Sequence, residues 1–221
     1  MKFYFLTIFS SMIEGYVHLS ILGRAEKKNL VSYHCINPRD FTNDPHKSVD
    51  DIPYGGGPGM VMKVEPLFRA VESIKEKEGE VYTILLSAKG KEFTQNDALR
   101  LAKKKNIAFI CGRYQGVDER VADYVADEEI SIGKYVLTGG ELPALIICDA
   151  LVRLTSGVLG NSESLKGESY GESCESSHPL YTRPEIFHDW KVPEVLLGGN
   201  HAHIEKWKRE NSVPIEKDEK K

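Results

Sequence analysis

Short apolar runs alternate along the first 160 residues with longer segments in which apolar residues recur at helical spacing. Three apolar runs predict buried strands, at Phe3–Phe9, Val81–Ser87 and Ile107–Cys111. Three segments with helical spacing predict helices, at Glu65–Lys77, Thr94–Lys105 and Leu142–Leu154. This alternation is typical of an α/β domain with a mostly parallel sheet.

Residues at the ends of two predicted helices support those helices. Thr94, with Asp97 three residues later, forms the sequence pattern of a capping box, and the triple lysine 103–105 suits the negative end of a helix dipole. Pro143 falls in a first helical turn, where proline is tolerated.

The composition changes after Gly160. Residues 161–178, NSESLKGESYGESCESSH, are rich in Ser, Glu and Gly, which predicts a flexible linker or lid. Residues 179–221 contain another apolar segment and a short helix capped by Asn200, but they are too few for an independent core. We therefore predict a first domain at 1–160 and a small helical domain at 179–221 that docks on the first domain or on another subunit.

Composition and charge exclude several classes of protein. The chain has 221 residues, of which 41% are hydrophobic and 28% charged, as in globular proteins. No apolar stretch approaches the roughly 18–20 residues of a membrane span, and the N-terminus lacks a signal-peptide cleavage site. The four cysteines show no metal-ligand spacing, so we expect them reduced and the protein cytoplasmic. A net charge of −4 argues against a protein that binds nucleic acid through overall electrostatic attraction. It does not exclude local basic patches around a specific site.

Glycine is concentrated in three loops, at Ile52–Lys63, Cys111–Arg120 and Ser131–Leu145. Glycine clusters mark backbone in unusual geometry or close to a ligand, so the three loops together predict a pocket lined by backbone. Neither the GxxxxGK[ST] motif nor a GxGxxG motif between a strand and a helix is present. The sequence therefore disfavours a nucleoside triphosphatase and a dinucleotide-dependent oxidoreductase as the function of this chain.

Seven segments along nearly the whole chain resemble one family, the bacterial tRNA (guanine-N1)-methyltransferases of the TrmD type. The segments are Asn37–Phe41, Val49–Lys63, Cys111–Val121, Asp127–Leu145, Gly157–Asn161, Leu180–Glu185 and Val192–Trp207. The resemblance implies a SPOUT-like domain with a deep C-terminal trefoil knot, which no pattern argument predicts because knots are almost absent from protein topology. It also implies a homodimer that transfers a methyl group from S-adenosylmethionine to N1 of guanosine-37, beside the anticodon of tRNA.

The resemblance also implies which residues hold S-adenosylmethionine in the knot. They are Leu86, Ser87, Gly112, Tyr114, Gln115, Gly116, Ile132, Gly133, Lys134, Tyr135, Val136, Leu137, Gly139, Gly140 and Pro143. Ordinary loop packing is the alternative for this set. Gln115 stands where the family usually has Glu, which removes a negative charge from the pocket and bears on any requirement for magnesium.

Methylation of guanine N1 requires a base to remove its proton. Glu168 stands at the position of the family's catalytic aspartate, and Arg153 matches the arginine near that base. The alternatives are a solvated acid in the linker for Glu168 and an ion pair with Asp149, four residues away on one helix, for Arg153.

By the same resemblance, tRNA contacts are expected at Arg39, His46, Asp50, Gly55, Gly59, Ser177 and His201. An exposed structural loop is the alternative for residues 37–59. His201 and His203 lack a nearby third ligand, so no metal site is predicted there. Residues 171–180, GESCESSHPL, also depart from the family's usual lid sequence. Two other functions remain open: a tRNA-binding protein that binds the cofactor but catalyses little, given Gln115, Glu168 and this altered lid, and a knotted ribose 2′-O-methyltransferase.

Overall fold

The computed structural model describes residues 1–159 and 178–212. The chain divides into two compact units, Met1–Gly160 and Asn161–Lys221. Among the described residues, none of the helices is both long and apolar enough to cross a membrane.

The first unit alternates strands and helices. Its strands are β1 (Lys2–Leu6), β2 (Ser32–Ile36), β3 (Asp50–Asp51), β4 (Val61–Met62), β5 (Tyr82–Glu92), β6 (Asn106–Cys111) and β7 (Glu128–Ser131). Its α-helices are α1 (Ser10–Val17), α2 (Ser20–Lys27), α3 (Val64–Glu78), α4 (Gln95–Leu101), α5 (Glu119–Tyr124) and α6 (Glu141–Leu154), with a 3₁₀ turn at Pro38–Phe41.

Five of these strands form one sheet in the order β2-β1-β6-β5-β7, and every neighbouring pair is parallel. The predicted α/β fold with a mostly parallel sheet is confirmed. Successive side chains of β1 point to opposite faces of the sheet, so that Phe3 and Phe5 enter one buried cluster while Tyr4 and Leu6 enter another. Residues of α1, α2, α4 and α6 pack in the first cluster, and residues of α3 and α5 pack in the second.

Two predicted elements end earlier than the sequence pattern indicates. The first strand stops at Leu6 rather than Phe9, because the Thr7 hydroxyl accepts the Phe9 N–H at 2.9 Å and the chain then enters α1. Helix α4 stops at Leu101, short of the triple lysine. The Lys105 carbonyl already accepts the Lys2 N–H at 2.8 Å, so the chain must leave the helix to join the sheet.

Asp97 anchors the beginning of α4. Its nearly buried carboxylate accepts hydrogen bonds from Lys91 at 2.7 Å, from the Thr94 hydroxyl at 2.8 Å and from Arg100 at 3.1 Å. Burial raises the pKa of Asp97, but these hydrogen bonds outweigh that effect and leave the pKa below its ordinary value. The predicted capping box of Thr94 and Asp97 is confirmed.

Replacing Asp97 with alanine is expected to lower the free energy of unfolding at pH 7 by about 1–3 kcal/mol, since hydrogen bonds to a charged group are lost. The pKa of Asp97 is lower in the folded protein than in the unfolded chain, where it is about 3.9, so the ionised carboxylate stabilises the fold fully at pH values above about 3.9. This stabilisation is lost as the pH falls through the pKa of the folded state. Urea unfolding of both proteins at pH 7 and pH 3 should therefore show the difference shrinking in acid. Asp40→Ala, at an exposed carboxylate, is the control and should change the free energy of unfolding little at either pH. The role of the Asp97 charge would be contradicted if Asp97→Ala lowered the free energy of unfolding equally at pH 7 and pH 3.

The second unit contains a two-stranded hairpin, β8 (Ile186–Phe187) and β9 (Trp190–Lys191), followed by α7 (Glu194–Leu197) and α8 (His201–Asn211). The Asn200 side chain accepts the His203 N–H at 3.3 Å, which confirms the predicted capped helix. Neither α7 nor α8 contains a buried residue. The apolar side chains of these two helices are therefore at most partly buried.

Candidate functional site

A cavity of about 480 Å³ opens at the carboxyl ends of β6 and β7, beside residues 85–89 in the middle of β5. Ligands in open α/β sheets bind in crevices outside these strand ends, where the chain leaves the sheet in loops. Every residue predicted to hold the cofactor lines this cavity except Lys134. The Tyr135 N–H bonds to the Gly133 carbonyl at 3.0 Å, and this tight turn leaves Lys134 at its apex, exposed to solvent.

The second glycine-rich loop owes its shape to two residues with positive φ. Tyr114 has φ +61° and Gly116 has φ +135°, and the Gly116 N–H closes the turn onto the Arg113 carbonyl at 3.1 Å. Positive φ costs a non-glycine residue free energy, so the surroundings must hold Tyr114 in place. Burial, together with a hydrogen bond to Asp50, raises the pKa of the Tyr114 phenol. Asp50 thereby couples this loop to the predicted tRNA-contact segment.

The first glycine-rich loop supports the second loop instead of lining the cavity. The Gln115 N–H donates to the Met60 carbonyl and the Met62 N–H donates to the Gly116 carbonyl, both at 3.0 Å. Gly59 has φ +86°, and a β-carbon there would lie 2.7 Å from the Gln115 amide nitrogen. The second and third glycine-rich loops therefore form the predicted pocket, and the first loop packs behind the second.

The third glycine-rich loop presents apolar side chains around the mouth of the cavity. Tyr135, Val136 and Leu137 are all exposed although they line it. Backbone polar groups and exposed apolar side chains in one concave surface suit a flat ligand with a polar edge.

Gly140 brings the second and third loops into backbone contact. Its N–H donates to the Gly112 carbonyl at 2.9 Å, and a β-carbon would lie 2.7 Å from the Cys111 α-carbon and 2.9 Å from the Gly112 nitrogen. Because these neighbours are backbone atoms in a sheet strand and its loop, they cannot move aside as a flexible side chain could. Only glycine fits this position without a shift of backbone.

Replacing Gly140 with alanine is expected to lower the free energy of unfolding by about 1–3 kcal/mol, the usual cost of an overpacked site. The displaced loop should also weaken ligand binding in the cavity. Thermal unfolding and titration calorimetry measure the two effects. Gly15→Ala is the matched control, because a β-carbon at Gly15, within α1, meets nothing within 4 Å; equal behaviour of the two variants would show that Gly140 is not constrained.

A buried ion pair joins both loops to the sheet. Glu141 is fully buried, one of its oxygens accepts the Thr7 hydroxyl at 2.6 Å, and the other lies 2.8 Å from an Arg113 nitrogen. Arg113 also donates to the Thr138 carbonyl at 3.1 Å and lies over the Phe9 ring at 4.6 Å. The sequence pattern assigns no role to either charged residue; a glutamate at the start of an apolar helix was the available signal.

Further charged residues reach the cavity without having been predicted. Lys89 from β5, Glu119 from α5 and Glu129 from β7 line it, together with Leu85, Val117 and Ala122. Lys89 forms a close ion pair with Glu119, and its nitrogen lies 3.9 Å from a Glu129 oxygen. This wall therefore carries one carboxylate more than it has cations to match.

The residues predicted to contact tRNA are only partly brought together. Arg39 and Asp50 both interact with Tyr114, and Gly59 lies against Gln115. His46 and Gly55 are exposed farther along the same segment, and Gly55 has φ +87°. His201 begins α8 in the second unit, and Ser177 lies outside the described residues.

Of the two predicted catalytic residues, Arg153 lies within the described part of the chain. Arg153 is half-buried in the last turn of α6, and Glu168 lies outside the described residues. Among the residues that the structure describes, no group of three or more His, Cys, Asp or Glu side chains is arranged to hold a metal ion.

Comparison with known proteins gives consistent matches over the whole chain. The model of the family described as tRNA (Guanine-1)-methyltransferase TrmD matches residues 1–220. The tRNA (guanine-N(1)-)-methyltransferase of Persephonella marina is 49% identical over 95% of this chain and 82% of its own length. That of Dictyoglomus turgidum is 51% identical over 94% of this chain and 83% of its own. The crystal structure of tRNA (m1G37) methyltransferase from Aquifex aeolicus matches with a TM-score of 0.79 and 40% identity, over 94% of this chain and 87% of that one.

Proposed function

This chain belongs to the tRNA (guanine-1)-methyltransferase family, and on that premise we propose that it methylates N1 of guanosine-37 in tRNA, next to the anticodon. The observation that carries the proposal is the cavity beside the middle of β5 and the ends of β6 and β7, which gathers nearly all of the cofactor residues implied by the sequence. A relative with a solved structure is itself a tRNA (m1G37) methyltransferase.

A methyltransferase requires a methyl donor, and we infer that S-adenosylmethionine is that donor. The cavity falls within the range of about 300–1,000 Å³ found for small-molecule sites. The backbone of residues 132–140 offers donors and acceptors for an adenine edge, and Tyr135 and Leu137 offer apolar walls. When bound, the cofactor supplies an electrophilic methyl group, and the protein has to orient that group toward the base and exclude water. A magnesium ion is allowed by the resemblance but has no part in this proposal.

Guanine N1 carries a proton that has to leave as the methyl group arrives. We assign its removal to the Glu168 carboxylate, which stands where the family has its catalytic aspartate. Arg153 is assigned to position that carboxylate or the base, because a guanidinium is always charged and offers several donors. In this scheme the cavity holds the methyl donor, and Glu168 and Arg153 act on the incoming nucleotide.

We further propose that two copies of the chain associate through α1 and α6. On α6, Leu142, Ile146 and Arg153 share one helical face, and the first two are about half exposed. Phe9, just before α1, and Met12 and Tyr16 within it add exposed apolar surface, and the Tyr16 hydroxyl donates to Asp149 of α6 at 2.7 Å. A partner copy on this face would cover the apolar side chains and lie next to Arg153.

The chain path in the second half of the first unit supports a trefoil knot as part of the proposal. Residues 112–117 and 132–140 meet backbone to backbone at Gly112 and Gly140. β5 adds a further loop, because both Leu86 and Lys91 pair with Ile130 and the residues between them bulge out of the sheet. Loops in such close backbone contact are expected where a chain passes through its own loop.

For tRNA itself, we assign the segment 37–59 and the small domain at 179–221 as contact surfaces. Arg39 and His46 would meet phosphates, which position the substrate, and a guanine turned out of its stack would supply specificity. The reaction takes place where tRNA matures, in the cytoplasm.

The test of this function is to locate the transferred methyl group. The protein is incubated with methyl-labelled S-adenosylmethionine and an unmodified tRNA transcript, and the digested product is separated into nucleosides. Label in 1-methylguanosine is the expected result. Label in a ribose-methylated nucleoside would show a 2′-O-methyltransferase instead, and binding of both ligands without label would show a tRNA-binding protein.

A further inference from the structure

Glu129 has an unsatisfied oxygen in the wall of the cofactor cavity. Its Oε1 atom is buried and has no hydrogen-bond partner among the described residues. The nearest cation, Lys89, is 3.9 Å away and is engaged by Glu119 in a closer ion pair. A buried carboxylate oxygen without a donor costs free energy, so the position is explained if a ligand supplies the donor.

The register of the sheet directs Glu129 toward this wall. Glu129 pairs with Leu85 of the neighbouring strand β5, and Leu85 belongs to the buried cluster that includes Val121 of α5. Glu128, the preceding residue, therefore points to the opposite face, where it accepts from Tyr82 at 3.1 Å and from Arg100 at 2.7 Å. Two adjacent glutamates on one strand thus differ: Glu128 has its protein donors, and Glu129 lacks one.

We propose that Glu129 is a cofactor-recognition residue, whose buried oxygen accepts a hydrogen bond from S-adenosylmethionine. This rests on the proposed function. The adenine edge is assigned to the backbone of residues 132–140, which leaves the ribose hydroxyls and the α-ammonium group as donors. Both present an N–H or O–H to a carboxylate, and the ammonium would also match the unpaired negative charge of this wall. The sequence resemblance did not include Glu129 in the cofactor set.

The experiment measures the dissociation constants of two ligands by titration calorimetry. S-adenosylhomocysteine carries the ribose and the amino-acid group, and methylthioadenosine keeps the ribose but lacks the amino-acid group. Glu129→Gln keeps the shape of the side chain but removes its charge. Glu129→Met removes the carboxylate acceptor and keeps an unbranched side chain of similar length. Glu128→Gln is the matched control, on the same strand and similarly buried but outside the cavity.

For Glu129→Met we expect S-adenosylhomocysteine to bind about 10- to 100-fold more weakly, the range for a lost hydrogen bond to a charged group. A loss confined to S-adenosylhomocysteine assigns the contact to the ammonium, and an equal loss for methylthioadenosine assigns it to the ribose. Glu129→Gln should lose less, because its amide oxygen still accepts. Thermal unfolding of each variant shows that it is folded.

Unchanged binding of both ligands to folded Glu129→Met would overturn the assignment, as would an equal loss in Glu128→Gln. The wild-type protein keeps the two proposals separate. If it binds neither ligand, the proposed cofactor is wrong; if it binds both and the Glu129 variants do too, only the role of Glu129 is wrong.

Discussion

Replacement of Glu168 by alanine is expected to slow single-turnover methyl transfer by about 10²- to 10⁴-fold, the usual contribution of a general base. Binding of S-adenosylhomocysteine should stay within a few-fold of wild type, because the cavity is built by other residues. The loss should diminish as pH rises, since hydroxide and the ionised guanine then replace the missing carboxylate. Rapid quenching with labelled S-adenosylmethionine between pH 6 and pH 9 measures the rate.

The control for that prediction is Glu168→Asp, which keeps a carboxylate and shortens its reach by one methylene. It should retain much more activity than the alanine variant, although a misplacement of about 1 Å can cost about 100-fold. Full turnover by Glu168→Ala would remove this residue from the mechanism.

Replacement of Ile146 by glutamate is expected to separate the two copies of the proposed dimer and to slow methyl transfer strongly. A charge placed in the middle of an apolar interface must be desolvated without a partner, which an interface of ordinary stability does not tolerate. The second copy then no longer lies beside Arg153. We expect more than about 100-fold loss of activity, as for other displacements of catalytic groups. Sedimentation velocity gives the oligomeric state and circular dichroism the fold.

Leu99→Glu is the matched control for Ile146→Glu. Leu99 lies on α4 and is exposed to 47%, against 49% for Ile146, so the two substitutions place the same charge at similarly exposed helical positions. Leu99→Glu should remain dimeric and active. A monomeric Ile146→Glu variant with wild-type activity would contradict the role of the dimer, and a wild-type protein that is monomeric would contradict the interface itself.

Strong periodicity allowed three of the five strands of the sheet (β1, β5 and β6) and three helices (α3, α4 and α6) to be predicted, whereas the other elements of the first unit could not be. β7 reads Glu-Glu-Ile-Ser, and the charges of Glu128 make sense only once Arg100 and Tyr82 are nearby. α1 follows an apolar run that looks like a continuous strand, and the break depends on the Thr7 hydroxyl. In each case a side-chain contact between distant residues decides the local structure.

The residues of the candidate site also fall into some that the sequence predicted and some that it did not. Its glycine-rich loops were identified from composition and from resemblance, since unusual backbone geometry requires glycine at positions such as Gly116 and Gly140. The charged residues behind the loops were missed, because Arg113 and Glu141 are held together only in the folded chain, and Glu129 reaches the cavity only through the pairing of β7 with β5. Sequence patterns thus locate backbone-defined features better than buried charge networks.

The most direct measurement is single-turnover methyl transfer to two tRNA transcripts that differ only at position 37, one with guanosine and one with adenosine. Both should bind, since phosphate contacts position the substrate independently of the base. Transfer to the guanosine transcript alone, recovered as 1-methylguanosine, is the expected result. Equal transfer to both transcripts, or none to either despite tight binding of tRNA and cofactor, would contradict the assignment of this chain as a guanosine-37 N1-methyltransferase.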